Sequence, residues 1–197
     1  RDDRGEGTLH CNGQLDRPGA KLTLTVTVDG KPYAQSTPTL VGDRYTSEVR
    51  LKSGLVRYRA VLTSELDGQK AILHTADDLV CGDAFIIIGQ SNAVSTDWGK
   101  GEGTYQSEWL RSFGSMSGSP QGLRLWGPAV HRNHQGGALT IGYWGMELGQ
   151  RIIEQQKVPV CFINGAVGGT RIDQHQRNTV NPTDMTTIYG RLLWRVR

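Results

Sequence analysis

The stretch Gly82-Asp83-Ala84-Phe85-Ile86-Ile87-Ile88-Gly89-Gln90-Ser91-Asn92 decides how the second half of this chain is read. Ala84 to Ile88 is a short continuous apolar run that stops at a glycine, the pattern of a strand buried on both faces, as central strands of parallel sheets are. A serine on the sharp turn after such a strand stands exposed above the sheet, with backbone N–H groups near its oxygen. Gly89 permits the tight turn, and the Ser91 N–H suits the oxyanion that forms when a serine attacks a carbonyl. The same residues also fit a helix N-cap, a common use of serine.

Working outward, Gly142 to Gln156 places Met146, Leu148, Ile152 and Ile153 near helical spacing, with Pro159 just beyond its end. A second apolar run, Val158 to Ile163, leads into Asn164-Gly165-Ala166-Val167-Gly168-Gly169-Thr170-Arg171-Ile172, and a helical segment follows around Thr187 to Val196. Strand, helix, strand and helix in that order predict a parallel sheet with crossover helices, whose ligand sites lie beyond the carboxyl ends of the strands. Paired glycines after a strand allow positive φ and close backbone approach, so Gly168 or Gly169 is a candidate second oxyanion donor. Their spacing matches neither a dinucleotide-binding fingerprint nor a P-loop. Between the two runs, Ala93 to Thr140 is rich in Gly, Ser and Trp and reads as long substrate-facing loops, or as a surface insertion with a short helix near Ser107 to Ser112.

Upstream the rhythm is different. Leu22, Leu24, Val26 and Val28 alternate with Thr23, Thr25 and Thr27, and Asp29-Gly30 closes a hairpin. Similar short runs at Tyr45–Leu51, Val56–Thr63 and Lys70–Thr75 are separated by Gly42-Asp43, Ser53-Gly54 and Asp67-Gly68, which together predict a small antiparallel β-sandwich of immunoglobulin or fibronectin type over residues 1–76, with loose opening residues. Residues 77–197 form the second domain.

The formal charge of +3 is spread singly among acids, without a basic stripe bearing interleaved aromatics, so nucleic acid is not an expected partner. No run approaches the ~18 apolar residues of a membrane span. Cys11, Cys81 and Cys161 are far apart and lack CxxC spacing, which argues against a zinc site and a disulfide scaffold and for small buried residues. No His, Asp or Glu spacing suggests a metal, and no cofactor is expected.

Taken together, Gly-Asp with an apolar strand and Gly-Gln-Ser-Asn, then Asn-Gly-Ala-x-Gly-Gly-Thr after a second strand, resembles the SGNH hydrolase superfamily, within it the sialate O-acetylesterase-like group. The resemblance covers roughly residues 79 to 197. It implies an α/β fold: a three-layer, flavodoxin-like parallel-sheet domain, incomplete at its C-terminus and preceded by the small sandwich. It implies a carboxylic ester hydrolase, of sialate O-acetylesterase or acetylxylan esterase type, that removes O-acetyl groups from carbohydrates through an acyl-serine. Ser91 is then the nucleophile, Gly168 or Gly169 an oxyanion donor, and Gln90 and Asn92 neighbouring support. A secreted, periplasmic or cell-surface location is expected.

One departure matters: the Asp-x-x-His block that supplies the family's base and its orienter does not occur, which is expected of the N-terminal portion of a longer polypeptide. The absence also supports an alternative, a non-catalytic carbohydrate-binding or surface module that keeps the hydrolase shell. Arg171 suits a substrate carboxylate, and His175, with Asp173 two residues earlier, suits a substrate contact or a surface position rather than the base. His131 and His134 fall in the long loop, while His10 and His74 belong to the β half. Trp98 and Trp126, in Gly-rich sequence, are candidates for stacking on a sugar ring, whereas Trp144, inside the helical run, is expected in the core.

Overall fold

The computed structural model describes residues 1–16, 19–94, 105–114, 124–131 and 139–197. The chain divides into two compact units, Arg1–Gly82 and Asp83–Arg197.

The first unit holds seven strands: β1 (Glu6–Gln14), β2 (Lys21–Val28), β3 (Lys31–Ser36), β4 (Thr39–Val41), β5 (Arg44–Lys52), β6 (Tyr58–Leu66) and β7 (Gln69–Leu79). They make two antiparallel sheets, ordered β1-β5-β4 and β3-β2-β6-β7. The period of two in the sequence becomes a burial period. Leu22, Leu24 and Val26 of β2 and Tyr58, Ala60 and Leu62 of β6 share one core with Val49 and Leu51 of the other sheet. Each fully buried leucine contributes roughly 1.5–3 kcal/mol. Asp29-Gly30 and Asp67-Gly68 both hold positive φ (46° and 77°, 52° and 76°), the backbone that two-residue hairpin turns need to match strand twist. Tyr33 and Tyr58 tie the sheets: the Tyr33 hydroxyl donates to the Arg50 carbonyl at 3.1 Å and the Tyr58 hydroxyl to that of Lys52 at 2.8 Å.

The opening residues are not loose. β1 pairs with β5 along its full length, from Glu6 opposite Lys52 to Gln14 opposite Arg44. The Arg50 guanidinium donates to Asp2, Glu6 and Thr8. β7 runs on to Leu79, past the 76/77 division drawn from the sequence.

The second unit carries β8 (Asp83–Ile87), β9 (Leu110–Phe113), β10 (Trp126–Pro128), α1 (Gly142–Gln156), β11 (Val160–Asn164), a 3-10 turn at Ile172–His175, and α2 (Ile188–Val196). Its sheet is ordered β10-β9-β11-β8: β11 runs parallel to β8 and β9, and β10 antiparallel to β9. The expected three-layer parallel-sheet α/β fold is therefore wrong. The described chain is mostly antiparallel, in three sheets, with two α-helices, too few to cover both faces of a parallel sheet.

Three local readings change with it. Among the described residues β8 is an edge strand, not a buried central one: Ile87 is buried while Phe85, Ile86 and Ile88 are exposed. The stretch read as a short helix near Ser107–Ser112 contributes to β9, and Leu110 and Ser112 are buried there because β9 pairs with β11. Trp144 lies 38% exposed on the outer side of α1, whose buried residues are Gly142, Gly145, Met146, Gly149 and Ile153. Gly149 lets the helix lie close to the sheet, since a Cβ there would run into Leu110 and Phe162.

Candidate active site

The two motifs singled out in the sequence end neighbouring parallel strands. Gly165 N–H donates to the Ile87 carbonyl at 2.8 Å and Val167 N–H to the Gly89 carbonyl at 3.0 Å, so the β8–β11 pairing continues past both strand ends into the two turns. Gly89 stands at φ 148°, which strongly favours glycine, and a Cβ there would lie 3.0 Å from that of Ala93. The chain then folds back: Ala93 and Val94 N–H both donate to the Gln90 carbonyl, at 2.8 and 3.1 Å. Residues 91–94 form a turn, with Ser91 part-exposed and Asn92 exposed at its rim.

Gln90 controls Ser91 directly. Its side-chain carbonyl accepts from the Ser91 N–H at 2.8 Å and from the Ser91 hydroxyl at 2.6 Å. An amide oxygen orients a hydroxyl but is far too weak a base to take its proton. In this arrangement the N–H expected to hold an oxyanion is engaged by Gln90, so that role requires the Gln90 side chain to turn away.

On the β11 side, Asn164 is buried and engaged through its side chain and its backbone carbonyl. Its side-chain oxygen accepts from Ala166 N–H at 3.0 Å, its amide donates to the Thr140 carbonyl at 3.1 Å, and its backbone carbonyl accepts from Arg195 Nη1 at 2.7 Å. Arg195 is itself buried, and loss of solvent, with Arg191 nearby, pulls its pKa down to about 10. Gly168 and Gly169 are exposed, and no protein atom lies within 4 Å of a Cβ built at either. Gly169 has φ 73°. Packing therefore does not demand glycine at 168, and its side toward solvent is open.

His175 is buried, not on the surface. Thr170 Oγ1 donates its only proton to the Val167 carbonyl at 2.6 Å, so it accepts from His175, whose Nε2 lies 2.8 Å away. His175 Nδ1 is buried without a hydrogen-bond partner among the described residues. Arg171 is exposed and paired with Asp173 through Nε and Nη2 at 3.0 and 2.8 Å, which raises the pKa of the guanidinium and lowers that of the carboxyl. A substrate carboxylate would compete with that pair.

Trp126 is 54% exposed on β10, its ring edge-on to Phe113 at 5.0 Å. His131 packs beside Tyr143 at 5.1 Å. His10 faces Glu48 at 3.1 Å within the first unit. Trp98 and His134 lie outside the described residues. The cysteines are unpaired; Cys81 is buried and Cys161 is pushed up to about 12 by burial, an unreactive thiol at neutral pH. Among the described residues no group of three or more His, Cys, Asp or Glu is placed to hold a metal, and no helix is long and apolar enough to cross a membrane. Sequence reasoning missed Asn164 and Arg195 as supports of the glycine turn. Asn164 closes an apolar run at a strand end, the one local signal that marked it.

No family model matches the chain, and no curated protein matches it. Among solved structures the chain is similar to a carbohydrate acetylesterase from Xanthomonas citri, with a TM-score of 0.53 and 19% identity over 96% of this chain. At that identity the likeness is one of fold. The chain spans 44% of the length of that structure.

Proposed function

We propose that this chain bears the nucleophile of a serine esterase that removes acetyl groups from carbohydrates, with Ser91 as the attacking residue. The observation that carries the reading is the Val167 N–H to Gly89 carbonyl bond, which joins the serine turn and the glycine turn at one end of two parallel strands. Sheets with parallel strands bind ligands beyond the carboxyl ends of those strands. The motif resemblance to SGNH sialate O-acetylesterase-like enzymes and the fold shared with a carbohydrate acetylesterase supply the substrate class, which geometry by itself does not.

In this mechanism Ser91 Oγ attacks the acetyl carbonyl, its proton passes to a general base, and the sugar hydroxyl leaves protonated. The acyl-serine is then cleaved by water, releasing acetate. Backbone N–H groups of Ser91 and of Gly168 or Gly169 hold the oxyanion once Gln90 releases Ser91. His175, engaged with Thr170 through Nε2, braces the glycine turn and is not the base. Arg171 contacts an acidic sugar only by exchanging Asp173 for it. A sialate or xylan substrate, and a secreted or cell-surface location, belong to the same proposal.

A second reading, a non-catalytic carbohydrate-binding module, is favoured by the engagement of both Ser91 donors with Gln90. A fluorophosphonate probe separates the two. Labelling that disappears in Ser91→Ala, with the circular dichroism spectrum unchanged, supports the esterase. Absence of Ser91-dependent labelling in the native polypeptide rules it out and leaves the binding module.

A further inference from the structure

We infer that Trp126, Phe113 and Trp194 form a sugar-stacking ledge that recognises a polysaccharide chain rather than a single acetylated sugar; the inference deepens the esterase reading and rests on it for its place beside the acyl centre. Phe113 ends β9, and Trp126 lies directly opposite it on β10. The Phe113 ring stacks on Trp194 of α2, with centroids 6.2 Å apart and an interplanar angle of 25°, and meets Trp126 edge-on at 5.0 Å. Three aromatic rings from three elements thus form one connected group. The group is not core: Trp126 is 54% exposed and Trp194 38% exposed.

Strand order gives the ledge its meaning. The sheet runs β10-β9-β11-β8, with β8, β11 and β9 mutually aligned. Their carboxyl ends lead in turn to Ser91, to the glycine turn and to Phe113 with Trp126. Neighbouring strands lie about 4.8 Å apart, so β9 lies roughly 10 Å across the sheet from β8. A ligand touching both ends of that edge must be longer than one sugar. Aromatic faces suit the apolar faces of pyranose rings, and the Arg124 guanidinium, 5.8 Å from the centre of the Trp194 ring, adds donors for hydroxyl or carboxylate groups at the same place. Three side chains are too few for a stable protein interface, which buries about 800 Å² per partner.

The test is affinity electrophoresis of the native chain in gels containing soluble xylan, glucomannan or polysialic acid, alongside Trp126→Ala, Trp194→Ala and the stacking-competent Trp126→Phe. The expected result is retardation of the native chain by at least one polymer. It weakens about tenfold or more in each alanine variant and returns in Trp126→Phe. Retardation by none of the polymers, or equal retardation of native and alanine variants, overturns the ledge. The two proposals fail separately. Ser91-dependent labelling without polymer binding removes the ledge and keeps the esterase, whereas ledge-dependent binding without Ser91 labelling removes the esterase and keeps a carbohydrate-binding surface.

Discussion

Gly168 and Thr170 bear opposite burdens although they stand two residues apart. A Cβ at Gly168 meets open space, so Gly168→Ala should change stability by no more than about 0.5 kcal/mol, as unobstructed surface substitutions do. If the turn supplies an oxyanion donor, hydrolysis of an aryl acetate should nevertheless fall because the new methyl group crowds that open side, but, with the backbone N–H retained, by less than the ~10²–10³ that outright loss of one such donor costs. Thermal melting and initial rates on the same preparation check both halves. Thr170→Val should show the reverse balance. It leaves the buried His175 Nε2 without its acceptor and the Val167 carbonyl without its donor, a loss of about 1–3 kcal/mol. Thr170→Ser restores the hydroxyl and should restore most of the stability. All five tryptophans lie in the second unit, so tryptophan fluorescence during urea unfolding follows that unit alone.

Helix α1 depends on one missing side chain. A Cβ at Gly149 would run into Leu110 of β9 and Phe162 of β11, both almost fully buried. Gly149→Ala should therefore destabilise the second unit by about 1–3 kcal/mol through overpacking, even though alanine favours a helix over glycine by about 1 kcal/mol. A urea midpoint that rises would show that the helix is free to move off the sheet. The helix itself was legible in the sequence over the same residues, because four apolar side chains recur at its period. Its dependence on Gly149 was not, since the clash is with strands distant in sequence. The same limit applied to β9 and β10, whose pairing with each other and with β11 overrides a local pattern read as loop or short helix.

For the molecule as a whole, weak acids that are buried (Tyr58) or partly buried (Cys161) make alkali the destabilising direction. Cys161 ionises near 9.0 when unfolded and at about 12 when folded, and burial raises Tyr58 above its usual 10.0 as well. Above pH 9 the unfolded chain gives up protons that the folded chain keeps, so the unfolded state gains and stability falls as pH rises toward 12. Unfolding free energies measured from pH 8 to 11 should decline, and more shallowly in Cys161→Ala. A slope that is flat, or the same in both proteins, would show that the partial burial of Cys161 does not persist in solution.

The sequence by itself determined what depends on neighbours along the chain: the alternating strands and Asp-Gly turns of the first unit, the two helices, and the two apolar runs that end in Gly89-Gln90-Ser91 and Asn164-Gly165. Tertiary structure decided which strands meet. It made polar β1 a full partner of β5 and left apolar β8 at an edge. It set an antiparallel β10 and, among the described residues, only two α-helices where a three-layer parallel fold was expected. It also buried Asn164 beneath Thr140 and Arg195. These are outcomes of hydrogen bonding and packing between residues whose local patterns carry no record of their partners.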